Sequence, residues 1–476
     1  MTKPNIIHLG GEHAVTGSCH LLQANGLNIL VDCGLAQGGD ELIPFSDWPI
    51  RPSDVDYLFL THAHIDHIGR VPELIERGFS GEIICSHATK ALLMPMLQDA
   101  MGFSHMTERQ AAKILETIDD LSWGFEYRQT FSLQKGIKFK LGCAGHILGS
   151  CFIRFELPDG FTIVFSGDLG AKDTPILCDP DTSDPCDLLI MESTYGDRNH
   201  EGRKGRIEVL RKILGRALDD GGIVYIPAFS LGRTQELIYE MDRIGTKVPV
   251  FIDSPLGLEI TKIYSNLDAF WDKEAKDLKA KGDHPIDFKS LYSVERFRDH
   301  KKLMEMDGPA IIIAGSGMCT GGRIIEHLRK GIEDSRNDIF FVGYQAKGTA
   351  GRDILKYSKR PGGYVKLDGE RFDIEAKVYQ LTGYSAHADQ RGLVEWVASM
   401  PERPGRIKLV HGETEAQEAL EKKIERLATP VRSSGPTPVP SPGATGQAGH
   451  RSAASSTGGA GHRLTQTRNQ RKDAKV

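Results

Sequence analysis

The sequence lacks any Cys-x-x-Cys pair in its 476 residues: its 8 cysteines, Cys19, Cys33, Cys85, Cys143, Cys151, Cys178, Cys186 and Cys319, are scattered through apolar or turn contexts. That scatter excludes a thiolate zinc finger and a dithiol redox motif, and the residues read as reduced, mostly buried thiols. It also lacks an apolar run long enough to cross a bilayer, and no basic leader with an apolar core opens the chain at MTKPNIIHLGGEHAVTGSCHLL. The expectation is a cytoplasmic protein that makes no membrane contact. Basic charge is not in excess either. With a formal charge of -5 and a pI near 6.4 the chain has no global field for nucleic acid, so any polyanion must be gripped locally. No internal repeat at solenoid spacing is present.

What the chain does have is length, which suggests two domains, and a recurring unit in which a short apolar run ends abruptly in polar, small or histidine residues. NILVDCG, DYLFLTHAH, EIICSHA, FTIVFSGD, DLLIMEST, VPVFIDSP, AIIIAGSGM, DIFFVGYQ and RIKLVHGE all have this form. Between several of them lie segments such as RIEVLRKILGRALDD and RIIEHLRKGIED, apolar at helical spacing. Strands alternating with helices predict an α/β protein whose chemistry sits in the loops at the carboxyl ends of strands. From Pro430 onward the chain turns to Pro, Ser, Gly, Ala and Thr, with seven Lys or Arg and one acid, Asp473. Residues 430–476 therefore read as a disordered basic tail.

The densest chemical signal follows the apolar run DYLFL. His62, His64, Asp66 and His67 fall within six residues. In an extended segment His62 and His64 point to one side, and Asp66 and His67 can turn toward an adjacent point, so one loop can serve two ions. Imidazole and carboxylate without thiolate suit Zn²⁺, with Mn²⁺ or Fe²⁺ as alternative occupants. One loop cannot complete two coordination shells. Further donors stand at other strand ends: His146 in CAGHILGS, Asp168 at the close of FTIVFSGD and His411 at the close of RIKLVHGE.

With these residues in order, the chain resembles the metallo-β-lactamase superfamily and, within it, the β-CASP nucleases that process RNA, a group that includes cleavage-and-polyadenylation-factor-like ribonucleases. The likeness spans roughly residues 5 to 425. It rests on VTGSC, the Asp32 of VDCG, the H-x-H-x-D-H loop, GHILGS, SGD, ESTYGDR, YSAHAD and LVHGE. It implies a four-layer αββα sandwich built from residues 1–205 and 366–429, with an α/β domain inserted at 206–365. It implies two zinc ions, His62, His64 and His146 on one, Asp66, His67 and His411 on the other, and Asp168 between them. Asp32 would orient a ligand histidine, a role that general metal-site chemistry also favours. Glu192, His387 and His411 resemble the subfamily's motifs A, B and C, and a histidine at the last position resembles the RNA-cleaving branch rather than the DNA-repair branch.

The function this implies is hydrolysis of RNA phosphodiesters, inside the strand, to a 3′-hydroxyl and a 5′-phosphate. Asp66 and Asp168 would help hold the ions, His387 would be the general acid and Glu192 would hold its imidazole. The partners expected are RNA and a second copy of the chain. Local grips for phosphate are sought in PAFSLGRTQE, AGSGMCTGGR and GYQAKGTAGR, with Ser230, Arg233, Ser316, Arg323, Gln345, Thr349 and Arg352 as the candidates. Four other readings compete: a 5′-3′ exoribonuclease, a DNA nuclease of the same fold, a small-molecule hydrolase such as a thioesterase, and a non-catalytic RNA-binding subunit. The pattern departs from the family at one point, because EKKIERLATPVRSS runs straight into the tail where a further closing strand is usual.

Overall fold

The computed structural model describes residues 3–102, 106–200 and 205–426. The tail expected at 430–476, and the place where a closing strand is usual, lie outside them. Among the described residues no helix is long and apolar enough to cross a membrane.

The first sheet runs in chain order: β1 (Asn5–Gly10), β2 (Cys19–Ala24), β3 (Leu27–Val31), β4 (Tyr57–Phe59), β5 (Glu82–Ser86) and β6 (Ser122–Phe125). Its first three strands are antiparallel, and β3 to β6 are parallel. The second sheet stacks on it. It contains β7 (Thr130–Ser132), β8 (Lys138–Cys143), β9 (Cys151–Glu156), β10 (Thr162–Phe165) and β11 (Leu188–Glu192), and it is completed by β20 (Arg406–Val410), parallel to β11.

Alternation along these strands makes the layers. Leu22, Ile29, Phe59 and Ile84 face Phe139, Ile153, Phe155, Ile163 and Ile190 across the sandwich. Their neighbours Leu21, Leu30, Leu58 and Ile83 face outward, onto the helices His87–Met101 and Glu108–Leu121. On the other side Phe152, Val164, Leu189 and Met191 pack against the helices Gln390–Ser399 and Thr414–Arg426. A period of two thus writes two apolar faces into one strand, giving a four-layer αββα sandwich.

The third sheet, in the order β14 (Leu291–Ser293), β13 (Val250–Asp253), β15 (Ala310–Ala314), β12 (Ile223–Pro227), β16 (Asp338–Phe341) and β19 (Lys377–Gln380), is parallel throughout. Helices cover both its faces, and runs such as AIIIA and IVYIP are accordingly apolar at every position. This sheet extends past residue 365. The hairpin of β17 (Tyr364–Leu367) and β18 (Glu370–Asp373) follows β16, and β19 then finds its parallel partner in β16, so the inserted sheet takes its last strand from Lys377–Gln380.

Candidate metal centre

Every candidate ligand stands where a strand runs out. β4 stops at Phe59 and the chain continues extended through Thr61, His62 and His64 into the one-turn helix Ile65–Ile68, which carries Asp66 and His67. His146 follows β8, Asp168 follows β10, and His411 follows β20. The carboxyl ends of both sandwiched sheets thus deliver donors to one point. His62, His64, His146 and Asp168 form one group, and Asp66, His67 and His411 a second, with the donor atoms of each group within 4.8 Å of one another.

The spacing suits a cage of donor atoms. His64 Nδ1 lies 3.0 Å from His62 Nε2 and 3.1 Å from His146 Nε2, close to the about 3.3 Å that separates nitrogens around a tetrahedral zinc. Asp168 sits at the centre, its Oδ2 3.6 Å from His62 Nε2, 3.4 Å from His67 Nε2 and 3.6 Å from His146 Nε2, and its Oδ1 3.6 Å from His411 Nδ1. Asp66 Oδ2 is 3.8 Å from His67 Nε2 and 3.6 Å from His411 Nε2. Buried, and without a hydrogen-bond partner among the described residues, are His67 Nε2, Asp168 Oδ1 and His411 Nε2. Orphaned atoms of this kind cost about 1–3 kcal/mol each unless something binds them. The residues fit divalent cations.

Protonation supports the same fit. Burial pushes His62 and His146 well below the usual imidazole value, and His64 to about 4, so these rings are neutral and offer lone pairs. Burial also opposes charge on His67 and His411, yet Asp168 and the carboxylates beside them outweigh it and raise both. The aspartates of the site therefore call for positive charge.

Polar residues behind the ligands fix which ring atom faces inward. Asp32 Oδ2 lies 2.7 Å from His67 Nδ1, and a carboxylate can only accept, so the ring donates from Nδ1 and turns Nε2 to the cluster. Asp32 Oδ1 accepts from the Thr61 backbone N–H at 2.8 Å, and its Oδ2 from the Thr61 hydroxyl at 2.9 Å; that hydroxyl is 3.1 Å from His62 Nδ1. Thr194 Oγ1 stands 3.1 Å from His411 Nδ1 in the same way. Thr61 and Thr194 escaped the reading of the sequence, because a hydroxyl next to a ligand carries no spacing signal.

His387 is set against this cluster by backbone pairing. The segment after Asp168 forms a bridge with it, Gly170 opposite His387, with Ala388 N–H donating to Leu169 O at 2.7 Å. Its Nδ1 lies 3.2 Å from Glu192 Oε2, and its Nε2 3.7 Å from Asp168 Oδ2. Glu192 is itself buried and accepts from the Leu169 N–H at 2.6 Å. Burial would lower the His387 pKa, but Glu192 first, then Asp168, raise it to about 9.

The phosphate candidates divide sharply. Arg233 is buried and paired with Glu236. Arg323 spends its donors on Asp253 Oδ1 at 2.6 Å and on the carbonyls of Val294 and Glu295. Gln345 is buried and donates to Gly317 O, and Thr349 caps the helix Ala350–Tyr357. These four build the loops from within. Ser230 and Ser316 are half-buried, bonded to Ser254 and Thr320, and Arg352 is exposed.

A third buried group, Asp253, His300 and His327, differs from the cage. Both imidazoles lie at 2.6 Å from Asp253 Oδ2, a hydrogen-bond length, and Arg323 already supplies the counter-charge. It is a knot that ties two helices to β13.

The chain is similar to known proteins along most of its length. The pattern of the metallo-beta-lactamase superfamily matches residues 14–219, that of the Beta-Casp domain residues 234–354, and that of the Zn-dependent metallo-hydrolase RNA specificity domain residues 371–433. Ribonuclease TTHA0252 of Thermus thermophilus is 36% identical over 422 residues, 88% of this chain and 95% of the relative. Transcription termination factor FttA of Methanosarcina mazei is 31% identical, over 86% of this chain and 67% of that protein. Cleavage and polyadenylation specificity factor 73 of Drosophila melanogaster is 29% identical, over 88% of this chain and 61% of that protein. The fold is also that of a protein of unknown function from Enterococcus faecalis V583, with a TM-score of 0.52 at 12% identity over 86% of this chain and 94% of that one. The chain belongs to the metallo-β-lactamase superfamily and, within it, to the β-CASP nucleases that act on RNA.

Proposed function

We propose that the chain cuts phosphodiester bonds inside RNA strands, with two zinc ions in the cage and His387 as the proton donor to the leaving oxygen. His62, His64 and His146 would hold one ion, Asp66, His67 and His411 the other, and Asp168 both; Asp32 orients His67. Bound divalent cations supply an acidified water and offset the charge on phosphate oxygens. The chain's own residues do the rest. An alkoxide leaves phosphorus only if a proton reaches it, and His387, protonated at neutral pH and directed by Glu192, is the group outside the cage that can deliver one. Ser230, Ser316 and Arg352 are the side chains we assign to the RNA backbone, since Arg233, Arg323, Gln345 and Thr349 face the protein.

The observation that carries this reading is the His387–Glu192 pair set 3.2 Å apart against the cage. A small-molecule hydrolase with a labile leaving group has no need of it, and a non-catalytic subunit has no need of the complete ligand set. Cleavage inside the strand, rather than from a 5′ end, rests on the family resemblance, and a circular RNA decides it.

The test incubates circular RNA, end-labelled linear RNA and matched DNA with the wild type, Asp168→Ala and His387→Ala, while bound metal is measured by elemental analysis. Linearised circles, 5′-phosphate ends, RNA cut in preference to DNA, and loss in both variants are expected. Full activity of Asp168→Ala would sink the mechanism, and intact circles beside degraded linear RNA would assign the exonuclease mode. The same preparations, passed over a light-scattering detector, test pairing with a second copy.

A further inference from the structure

The three strand-end loops of the inserted sheet turn Arg233, Arg323, Gln345 and Thr349 inward and leave Arg352 and two aromatic rings outside. Phe229, after β12, is 38% exposed and Tyr344, after β16, is 40% exposed. Trp123, Tyr292, Phe297 and Tyr364 are more exposed still, but Phe229 and Tyr344 stand on the strand-end loops of the inserted sheet, where an open ring offers a face to substrate. The Phe229 ring reaches glycines of two other loops: a Cβ at Gly317 would stand 2.8 Å from it, and one at Gly343, the residue before Tyr344, 3.9 Å. The Phe229 ring thus lies beside the backbone of the loop that carries Tyr344.

That loop adjoins the metal centre. Tyr344 is within electrostatic reach of Glu413, two residues beyond His411, and of Arg352, Tyr195 and Arg198. The Tyr195 ring is centred 6.1 Å from that of His387. The exposed Arg352 and Arg198, the latter 3.0 Å from Asp197, stand beside the open ring, where a strand that carries one negative charge per nucleotide can meet their guanidinium groups.

We propose that Tyr344, backed by Phe229, is a stacking platform for an unpaired base next to the scissile phosphate, and that it makes the site select single-stranded RNA. This rests on the reading of the chain as an RNA nuclease. Every base has a π-face, so the platform accepts all four without reading identity. A base within a duplex already has both faces covered and cannot dock without leaving its stack.

The experiment places 2-aminopurine at successive positions around a mapped cleavage point and uses zinc-loaded full-length protein. Binding is followed by fluorescence in a His387→Ala background, and cleavage in the wild-type background, for Tyr344→Ala, Tyr344→Phe and Phe229→Ala. We expect Tyr344→Ala to abolish quenching at one position and to lower kcat/KM on single-stranded RNA about 5- to 150-fold, the range of one lost base stack. Tyr344→Phe retains both, and Phe229→Ala shows a smaller loss. An RNA lacking the base at that position is cut equally by the wild type and Tyr344→Ala. Quenching unchanged in Tyr344→Ala, a loss of the same size on the abasic RNA, or a changed oligomeric state with unaltered RNA kinetics would each overturn the platform, the last assigning the rings to a second copy of the chain. A zinc-loaded wild type that cuts no RNA at all sinks the functional reading instead, and the quenching still reports on the platform.

Discussion

Asp32 touches no proposed ion position, yet it decides how His67 presents itself. Its carboxylate holds the ring by Nδ1 at 2.7 Å and holds Thr61 through both backbone and hydroxyl. Asp32→Ala should therefore bind zinc about 10- to 100-fold more weakly while keeping the ligand set, which competition with a chromogenic chelator measures. Glu192 does for His387 what Asp32 does for His67, with a different consequence. As the proposed general acid, His387 works only when protonated, so activity should be lost as pH rises through its pKa, which Glu192 raises above the usual imidazole value. Glu192→Gln removes the largest raising influence and moves the alkaline limb of kcat to lower pH. An unmoved limb would separate His387 from the proton transfer.

At the scale of elements, the site depends on loops pressed together. A Cβ on Gly170 would overlap the carbonyl of Gly145, in the loop that carries His146. Gly170→Ala should push the His146 and Asp168 loops apart, costing about 1–3 kcal/mol in stability and weakening zinc binding together. Calorimetric unfolding and metal titration check both, and a variant that loses stability without losing affinity would refute the coupling. The elements also show where reading a sequence succeeds. Apolar runs closing on His or Asp marked β4, β10 and β20 and their site residues, because a buried strand and its polar tail are local features. The inserted sheet's boundary was not legible, because β19 belongs to it through a partner, β16, that lies 39 residues back in the chain, in a ladder that runs from Asp338 and Lys377 to Phe341 and Gln380.

At the scale of the molecule, seven ligand candidates from four stretches of chain converge on two adjacent positions. Ions bound there cross-link both sheets of the sandwich and bind only the folded state. Exhaustive chelation should abolish cleavage and lower the unfolding temperature by several degrees, both restored by zinc, since ligand at 1,000 times its Kd stabilises by about 4 kcal/mol. The net charge of -5 sets a second whole-molecule property. With only a few exposed cations such as Arg198 and Arg352 to meet phosphate, the slope of log K against log salt should be shallow, about -2 to -3 for three or four contacts. A steep slope would reveal a basic surface other than the cleft.

The sequence alone determined the candidate ligand types and their order, because coordination chemistry demands particular atoms and the H-x-H-x-D-H loop places four of them within six residues. It also determined the α/β class, which follows from local periodicity. Only the tertiary structure decided which side chains face the cleft. Arg323 and Phe229 sit in loops of the same glycine-rich kind, and nothing local distinguishes them. Arg323 turns inward because Asp253 waits at the end of another strand, whereas Phe229 stays partly exposed, its ring edge against Gly317 of another loop.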